Sequence, residues 1–505
     1  MSHLSSALLN SLGVSISHLE TDSRLVNPGD TFVAYPGGQS DGRHFIDQAI
    51  ANGANAVIWE AKNFVWDESW AVPNLAVSDL RQQAGELADC VYEAPSKKLW
   101  MVGVTGTNGK TTCSHWVARS FNALGRKSAM IGTLGNGFAD ALQTSVNTTP
   151  EAIKVHGLLA DYSQHGAQVV AMEVSSHALA QGRVSAVNFD VALLTNLSRD
   201  HLDYHGDMHS YASAKRRLFD WAQLKFAVLN FDDPFGAELA ESLRDAGVEV
   251  VGYGLDDASL QLAEQMGVRM VYGADLRMDA QGLSLTVRSS WGAAILQSQQ
   301  VGRFNAANLL GALTVLLVSG VELSAAVNEL AQQKAVAGRM QTLGGKNKPT
   351  VVVDYAHTPD ALEKVLQTLR EVTAPSGGKV ICVFGCGGDR DRGKRPMMGT
   401  IASKLADECI ITSDNPRSES PKAIIDAILF GVEGDAYRVI EDRAQAIARS
   451  VSGARAVDTV LIAGKGHEDY QEVNGIKQPF SDSELARRAL SVWAPVDHKQ
   501  EWVTL

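Results

Sequence analysis

A lysine followed by two threonines, Lys110-Thr111-Thr112, stands behind Gly106, Thr107, Asn108 and Gly109. Between a strand and a helix, such a loop turns backbone N–H groups onto phosphate oxygens. The lysine then reaches the β and γ phosphates, and a threonine hydroxyl can hold Mg²⁺. The spacing departs from the common G-x-x-x-x-G-K-S/T pattern, because Val104 stands where the first glycine belongs. A glycine-rich surface turn is the competing reading, and the coincidence of strand, loop and helix weighs against it. Further on, Glu173 closes an apolar run, the end of a strand where open α/β sheets place their ligands. One carboxylate there suits Mg²⁺, which takes few protein oxygens. His201, Asp203 and His205 then gather metal and proton chemistry within five residues, although a helix cap explains the aspartate equally well. Lys215 follows in a basic stretch that composition alone reads as a solvated helix face.

The elements that must position these residues alternate. An apolar strand at 99–104 leads into the loop, and a helix from about 110 to 124 follows, stopped by Gly125. Apolar runs at 169–174, 189–195, 226–230 and 248–252, with helical stretches between several, predict a parallel sheet covered on both faces. Before them lie some ninety residues of short strands and turns, with a helical stretch at 45–52 and a linker at 94–98. Beyond them, 270–278 and 282–290 read as antiparallel strands ahead of a helix at 305–318. A third unit begins near Gly338, with strands at 350–354, 380–384, 409–413 and 459–463 and a helix at 360–372. The 505 residues divide into three at ~150 residues per domain. The expected fold is α/β: a small N-terminal α/β domain (1–95), a central P-loop parallel-sheet domain with a small antiparallel element (96–336), and a Rossmann-like doubly wound domain (337–505).

Lys and Arg total 45 against 57 Asp and Glu, a net charge of −12, which argues against a protein that coats nucleic acid or an anionic membrane. Five cysteines without a CxxC pair make neither a disulfide framework nor a zinc signature. The first ten residues lack a signal-peptide pattern, and the apolar run at 309–318 is shorter than the ~18 residues of a membrane span. A reduced, soluble, cytoplasmic protein is expected.

Taken together, GTNGKTT (106–112), MEVSSH (172–177), TNLSRDHLDYHG (195–206) with its trailing Lys215, GRFNAAN (302–308), GRM (338–340) and VDYAHTPD (353–360) resemble the Mur ligases. These are ATP-dependent amide-forming enzymes of peptidoglycan precursor synthesis, and the resemblance runs in order over essentially the whole chain. The TDSR…PGDTF segment resembles the UDP-binding domain of members that add the third peptide residue.

That resemblance implies roles residue by residue. Gly106 through Thr112, with catalytic Lys110, bind the ATP phosphates. Thr111, Glu173, catalytic His201 and Lys215 surround magnesium, Lys215 as a carbamate formed with CO₂. An ammonium beside two Mg²⁺ ions would be repelled, whereas a carbamate supplies anionic oxygens. Asn305 and Asn308 resemble adenine contacts, Arg339 a phosphate contact and Asp354 a ribose or nucleotide contact. Thr21, Ser23, Gly38, Gln39 and Ser40 match positions near the uridine and diphosphate, and Asn147, Thr148, Thr149, Ser175, Gln181 and Arg183 those that hold the muramoyl-dipeptide.

Three stretches of the third domain follow strands and so converge on one crevice. Arg390 and Arg417 supply carboxylate forks there, with Asp414 and Glu468 available to an ammonium and Asn415, Pro416 and Gly464 alongside. The tetrapeptide Asp414–Arg417 resembles the signature of meso-diaminopimelate-adding members. The implied substrates are ATP, UDP-N-acetylmuramoyl-L-alanyl-D-glutamate and meso-diaminopimelate, joined through an acyl phosphate by a monomer that needs no nucleic acid and no membrane span. Closure of the third domain on the second is expected to hinge near 336–339. A lysine-adding sister, a folylpolyglutamate-synthetase-like ligase and, from a different class, a P-loop regulator are the competing readings.

Overall fold

The computed structural model describes residues 6–38, 40–139, 141–145, 147–279 and 281–495. Near the N-terminus, β1 (Leu19–Glu20), β2 (Thr31–Ala34), β3 (Ala56–Glu60) and β4 (Asn74–Val77) pair in parallel and in chain order. Alternation along β2 and β3 splits the apolar side chains between two faces: Val33 and Ile58 pack with Leu80, Ala84 and Leu87, while Phe32, Val57 and Trp59 pack with Ile46. The helix Leu80–Val91 covers the first face with that spacing. The expected linker is ordered: Pro95–Lys98 is a 3₁₀ turn with Pro95 and Ser96 buried, and Ser96 Oγ accepts the Asn188 N–H at 3.0 Å. Proline favours the first position of a helical turn, and its neighbours pack against the next unit, so the connection is not free.

Among the described residues the central sheet has eleven strands. Its parallel core runs β12 (Glu249–Gly254), β11 (Phe226–Asn230), β10 (Val191–Leu194), β5 (Trp100–Thr105), β9 (Val169–Glu173), β6 (Ser128–Gly132). Both edges turn antiparallel. On one side β13 (Arg269–Asp279) pairs in parallel with β12 and antiparallel with β14 (Gly282–Ser289), which pairs with β15 (Gly292–Ser298). The antiparallel element therefore prolongs the sheet. On the other side lie β7 (Gly135–Phe138) and β8 (Ala141–Gln143), whose glycines and short length hid them in the sequence. The helix Arg303–Val318 is buried on nearly every side against the sheet and the helix Lys110–Ala123, which accounts for its uninterrupted apolar run.

The third sheet runs β16 (Gln341–Gly344), β17 (Thr350–Asp354), β21 (Thr459–Ala463), β18 (Val380–Phe384), β19 (Glu408–Ile411), β20 (Tyr437–Val439), parallel except for the β16 edge. Helices on both faces make it doubly wound. Because β21 inserts between β17 and β18, the loops leaving β21, β18 and β19 lie side by side. A hairpin of β22 (Tyr470–Val473) and β23 (Ile476–Pro479) stands over them.

Candidate active site

β5 ends at Thr105 and its helix begins at Lys110, so 106–109 is the turn between them. A side-chain carbon at Gly106 (φ +143°) would fall 1.9 Å from Thr195 Oγ1, and one at Gly109 (φ +88°) 2.4 Å from Asn308 Oδ1. Both positions demand glycine. The end of β10 braces the turn. Thr195 Oγ1 donates 2.6 Å to the Asn108 carbonyl, and Asn196 Oδ1 accepts the Asn108 N–H at 2.9 Å. Lys110 Nζ folds over the loop and donates 2.8 Å to the carbonyls of Gly106 and Thr107.

Glu173, the last residue of β9, is wholly buried. Thr111 Oγ1 donates to its Oε2 at 2.9 Å, and the Thr133 N–H and Oγ1 donate at 2.8 and 3.1 Å. Arg339, from beyond the central sheet, donates 3.2 Å to Thr111 Oγ1. His201 sits at φ +54° with Nε2 3.3 Å from Asp200 Oδ2. Burial pushes its pKa down to about 3, against the pull of Asp200, so the imidazole is neutral near pH 7. Burial opposes ionisation of Asp200, but His357, His201 and Lys394 hold its carboxyl below the usual range. Lys215 is 1% exposed, with Nζ 2.7 Å from the Gly106 carbonyl and 4.5 Å from the Tyr211 ring centre. Burial, reinforced by Lys110, pushes its pKa well below the ordinary 10.5.

Among the described residues, no cluster of three or more His, Cys, Asp or Glu side chains stands ready to hold a metal. A hydroxyl, one carboxylate and a neutral imidazole instead fit Mg²⁺ carried largely by phosphate oxygens.

Beside the loop opens a cleft of about 390 Å³ lined by Asn108, Gly109, Thr112, Asn305, Asn308, Arg339 and Asp354. Asn308 Nδ2 donates to Asn305 Oδ1 at 3.3 Å, which ties the two asparagines together on one helix. Asp354 accepts the N–H groups of Met340 and Ala356, each at 2.7 Å. Besides Arg339 to Thr111, contacts that cross between the central and third domains here include Asn108 Nδ2 to Asp360 Oδ2 at 3.0 Å, Arg199 to Asp391 at 3.1 Å and His357 to Asp200 at 3.6 Å.

The residues matched to the dipeptide also gather around Glu173. Thr149 Oγ1 donates 2.7 Å to the Glu173 carbonyl and accepts the Ser175 N–H at 3.2 Å, while Thr148 Oγ1 lies 3.1 Å from Thr133 Oγ1. Arg183 donates 2.9 Å both to the Thr149 carbonyl and to Gln181. Asn147 is exposed beside them. Farther off, Thr21 follows β1, and Gly38 and Ser40 lie exposed in the turn after β2. Ser23 is buried, and its hydroxyl donates 2.7 Å to Gln48, so its side chain is already engaged. Gln39 lies outside the described residues.

Three loops build the remaining crevice. The Gly388 N–H donates to the Asn415 carbonyl at 2.9 Å, and Arg417 Nη1 to the Gly388 carbonyl at 2.8 Å. Gly464 (φ +118°) approaches so closely that a side-chain carbon would lie 2.5 Å from Asp414 Oδ2. Pro416 is buried and Arg390 exposed. Glu468, expected to be free for an ammonium, already accepts from Lys465 at 3.0 Å and Asn415 at 2.9 Å on one oxygen. Beneath, Arg443 is fully buried against Asp482 at 2.7 Å and donates 2.9 Å to the Ala463 carbonyl. Thr133, His357 and Lys465 had been assigned no part. Nothing in a lone threonine signals a carboxylate clamp, whereas the other two lay inside motifs already singled out.

Three family models match: "Mur ligase family, catalytic domain" at 15–92, "Mur ligase middle domain" at 104–316 and "Mur ligase, glutamate ligase domain" at 338–466. A UDP-N-acetylmuramoyl-L-alanyl-D-glutamate–2,6-diaminopimelate ligase of Chromobacterium violaceum is 52% identical over 96% of this chain and 97% of its own. One of the same description from Pseudomonas aeruginosa is 48% identical over 95% and 96%. A solved structure of such a ligase superposes with a TM-score of 0.65 at 37% identity, over 94% of this chain and 95% of that one. MurF of Acinetobacter baumannii, at 19% identity and a TM-score of 0.67, shares the fold. With three family models in succession and relatives of about half identity over nearly its whole length, the chain belongs to the Mur ligase family.

Proposed function

We propose that the chain adds meso-2,6-diaminopimelate to the D-glutamyl carboxylate of UDP-N-acetylmuramoyl-L-alanyl-D-glutamate, with ATP as the energy source. The observation that carries the reading is the meeting of nucleotide cleft and amino-acid crevice at Tyr355. This residue lines the cleft, carries Arg339 4.4 Å above its ring centre, and reaches Glu468 at 3.4 Å. The relatives that span nearly the whole chain bear the same description.

In this reading the loop amides and Lys110 hold the triphosphate, Asn305 and Asn308 the adenine, Asp354 the ribose and Arg339 a phosphate. The carboxylate oxygen attacks the γ-phosphorus and the bond to ADP breaks, which gives an acyl phosphate. The amine nitrogen of diaminopimelate then attacks the acyl carbon, loses a proton, and phosphate departs with the C–O electron pair. A free carboxylate is too poor an electrophile for that second step, so ATP is consumed in the first. Mg²⁺, held by Thr111, Glu173 and His201, supplies charge neutralisation on the phosphoryl oxygens when bound. Lys215, a buried amine that rests on a carbonyl and a ring face, adds CO₂ with loss of a proton and would serve as an anionic ligand.

Asn147, Thr148, Thr149, Ser175, Gln181 and Arg183 are assigned to the dipeptide, and Thr21, Ser23, Gly38, Gln39 and Ser40 to the nucleotide sugar. Arg390 and Arg417 take the carboxylates of diaminopimelate. The division at 1–95, 96–336 and 337–505 assigns one substrate to each domain. All three sites come from one chain, which supports a monomer, and no described helix is long and apolar enough to cross a membrane. A cytoplasmic place of work completes the reading.

Phosphate release tests it. With purified protein, ATP and the nucleotide dipeptide, meso-diaminopimelate should drive release and L-lysine should not, because lysine lacks the distal carboxylate for Arg417. Faster release with L-lysine would overturn the diaminopimelate assignment. Release that needs neither dipeptide nor amino acid would make the chain a P-loop regulator.

A further inference from the structure

One buried side chain ties two of the crevice loops together. Lys465 has no exposed surface, and its Nζ donates 2.9 Å to Asn415 Oδ1 and 3.0 Å to Glu468 Oε2, 5.4 Å from the Tyr470 ring centre. Asn415 closes the triangle. Its Nδ2 donates 2.9 Å to the same Glu468 oxygen, and its Oδ1 also accepts the Glu472 N–H at 3.0 Å. Glu468 Oε2 is thus held from two sides, while Oε1 has one long contact, 3.4 Å from the Tyr355 hydroxyl. Asp414 is placed similarly: the Asn415 N–H takes its Oδ1 at 2.7 Å, and its Oδ2 lies beside Gly464. A carboxylate has room for about four donors, so Glu468 keeps acceptor capacity on the oxygen facing Tyr355. Burying an ammonium is costly unless it is paired, and here both partners lie on the loops that frame the crevice.

We propose that Lys465 is a positioning residue that selects the amine end of the amino acid: it locks Glu468 to Asn415 so that the free Glu468 oxygen meets a substrate ammonium. The inference rests on the ligase reading and deepens it, since Arg417 accounts for the carboxylate end alone.

Lys465→Met and Lys465→Gln test it, with each of the three substrates varied in turn and Tm recorded. The KM for meso-diaminopimelate should rise about tenfold or more in Lys465→Met, the scale of a lost hydrogen bond to a charged group. Lys465→Gln should rise less, because a neutral donor still reaches Glu468. The KM values for ATP and the dipeptide should not move. Hydroxylamine in place of the amino acid gives a second readout. Its nitrogen attacks the acyl phosphate, phosphate leaves, and a hydroxamate forms without use of the crevice, at the parental rate in both variants. No hydroxamate from the parent protein would sink the ligase reading itself. Parental hydroxamate formation with an unchanged KM for diaminopimelate in Lys465→Met would overturn the Lys465 proposal alone. If Lys465→Met does not fold, Lys465→Gln decides: a rise confined to diaminopimelate supports the proposal. An equal rise for all three substrates with a lowered Tm marks a merely structural role and overturns it.

Discussion

The phosphate end of the central sheet and the amino-acid crevice of the third sheet each bury a lysine, and they treat it oppositely. Lys215 is 1% exposed and rests on a carbonyl and a ring face. Lys465 is 0% exposed and rests on the Glu468 carboxylate and the Asn415 amide oxygen. Depth of burial is the same, so depth does not separate them. What differs is the partner. At Lys215, burial and the neighbouring Lys110 outweigh the pull of Asp200 and hold the amine towards its neutral, nucleophilic form, whereas Lys465, in contact with a carboxylate, is a strut. The first arrangement makes chemistry available, and the second fixes the geometry of a pocket.

The comparison breaks most readily at Lys215. Lys215→Ala should lower turnover on the order of a thousandfold, the scale at which loss of one transition-state charge contact is felt. Added formate or acetate should restore part of it by replacing the carbamate oxygens. Full activity in this variant would remove Lys215 from the metal site. Next in size is Arg417→Lys, for which kcat/KM with meso-diaminopimelate should fall about thirtyfold. A point charge cannot reproduce a planar fork.

Stability separates the two lysines in sign. Lys215→Met removes a buried amine held by one carbonyl and a ring face and should leave Tm unchanged or raised even as activity disappears. Lys465→Met strands part of Glu468 and should lower Tm by roughly 2 °C. The pH dependence sharpens this. The Lys215 pKa is lowered in the folded chain, so between that lowered value and the ordinary 10.5 the unfolded chain binds a proton that the folded chain does not. Its contribution therefore makes stability rise with pH across that window, and CO₂-free melts of the parent protein should show a steeper rise than those of Lys215→Met. Smallest of all, Arg199→Ala breaks the exposed ion pair with Asp391 and should change turnover less than about threefold, with the difference vanishing in high salt.

How much of this was legible depended on whether chemistry was local in the chain. The phosphate loop could be placed because a strand end, glycines and a helix start sit within ten residues, and Glu173 because it closes an apolar run. Lys215 could be singled out only through resemblance, since composition made it a solvated face, yet the fold buries it under Gly106. Lys465 lies between Gly464 and Glu468, both of which the sequence points to, yet takes no role from it, because one of its partners, Asn415, is fifty residues away. Thr133 was invisible for the same reason, its partner being forty residues distant. Among the elements, β7 is half glycine and β8 only three residues long, so neither carries an apolar alternation. The segment at 94–98 reads as a linker on its proline, yet that proline starts a 3₁₀ turn with Pro95 and Ser96 buried.

The central claim is that a carboxylate is activated by phosphorus taken from a nucleotide held at Lys110. Oxygen-18 placed in the D-glutamyl carboxylate, followed by mass analysis of the phosphate released during diaminopimelate addition, tests it most directly. One labelled oxygen per phosphate is expected. Unlabelled phosphate, released alongside a fully formed amide product, would contradict the account.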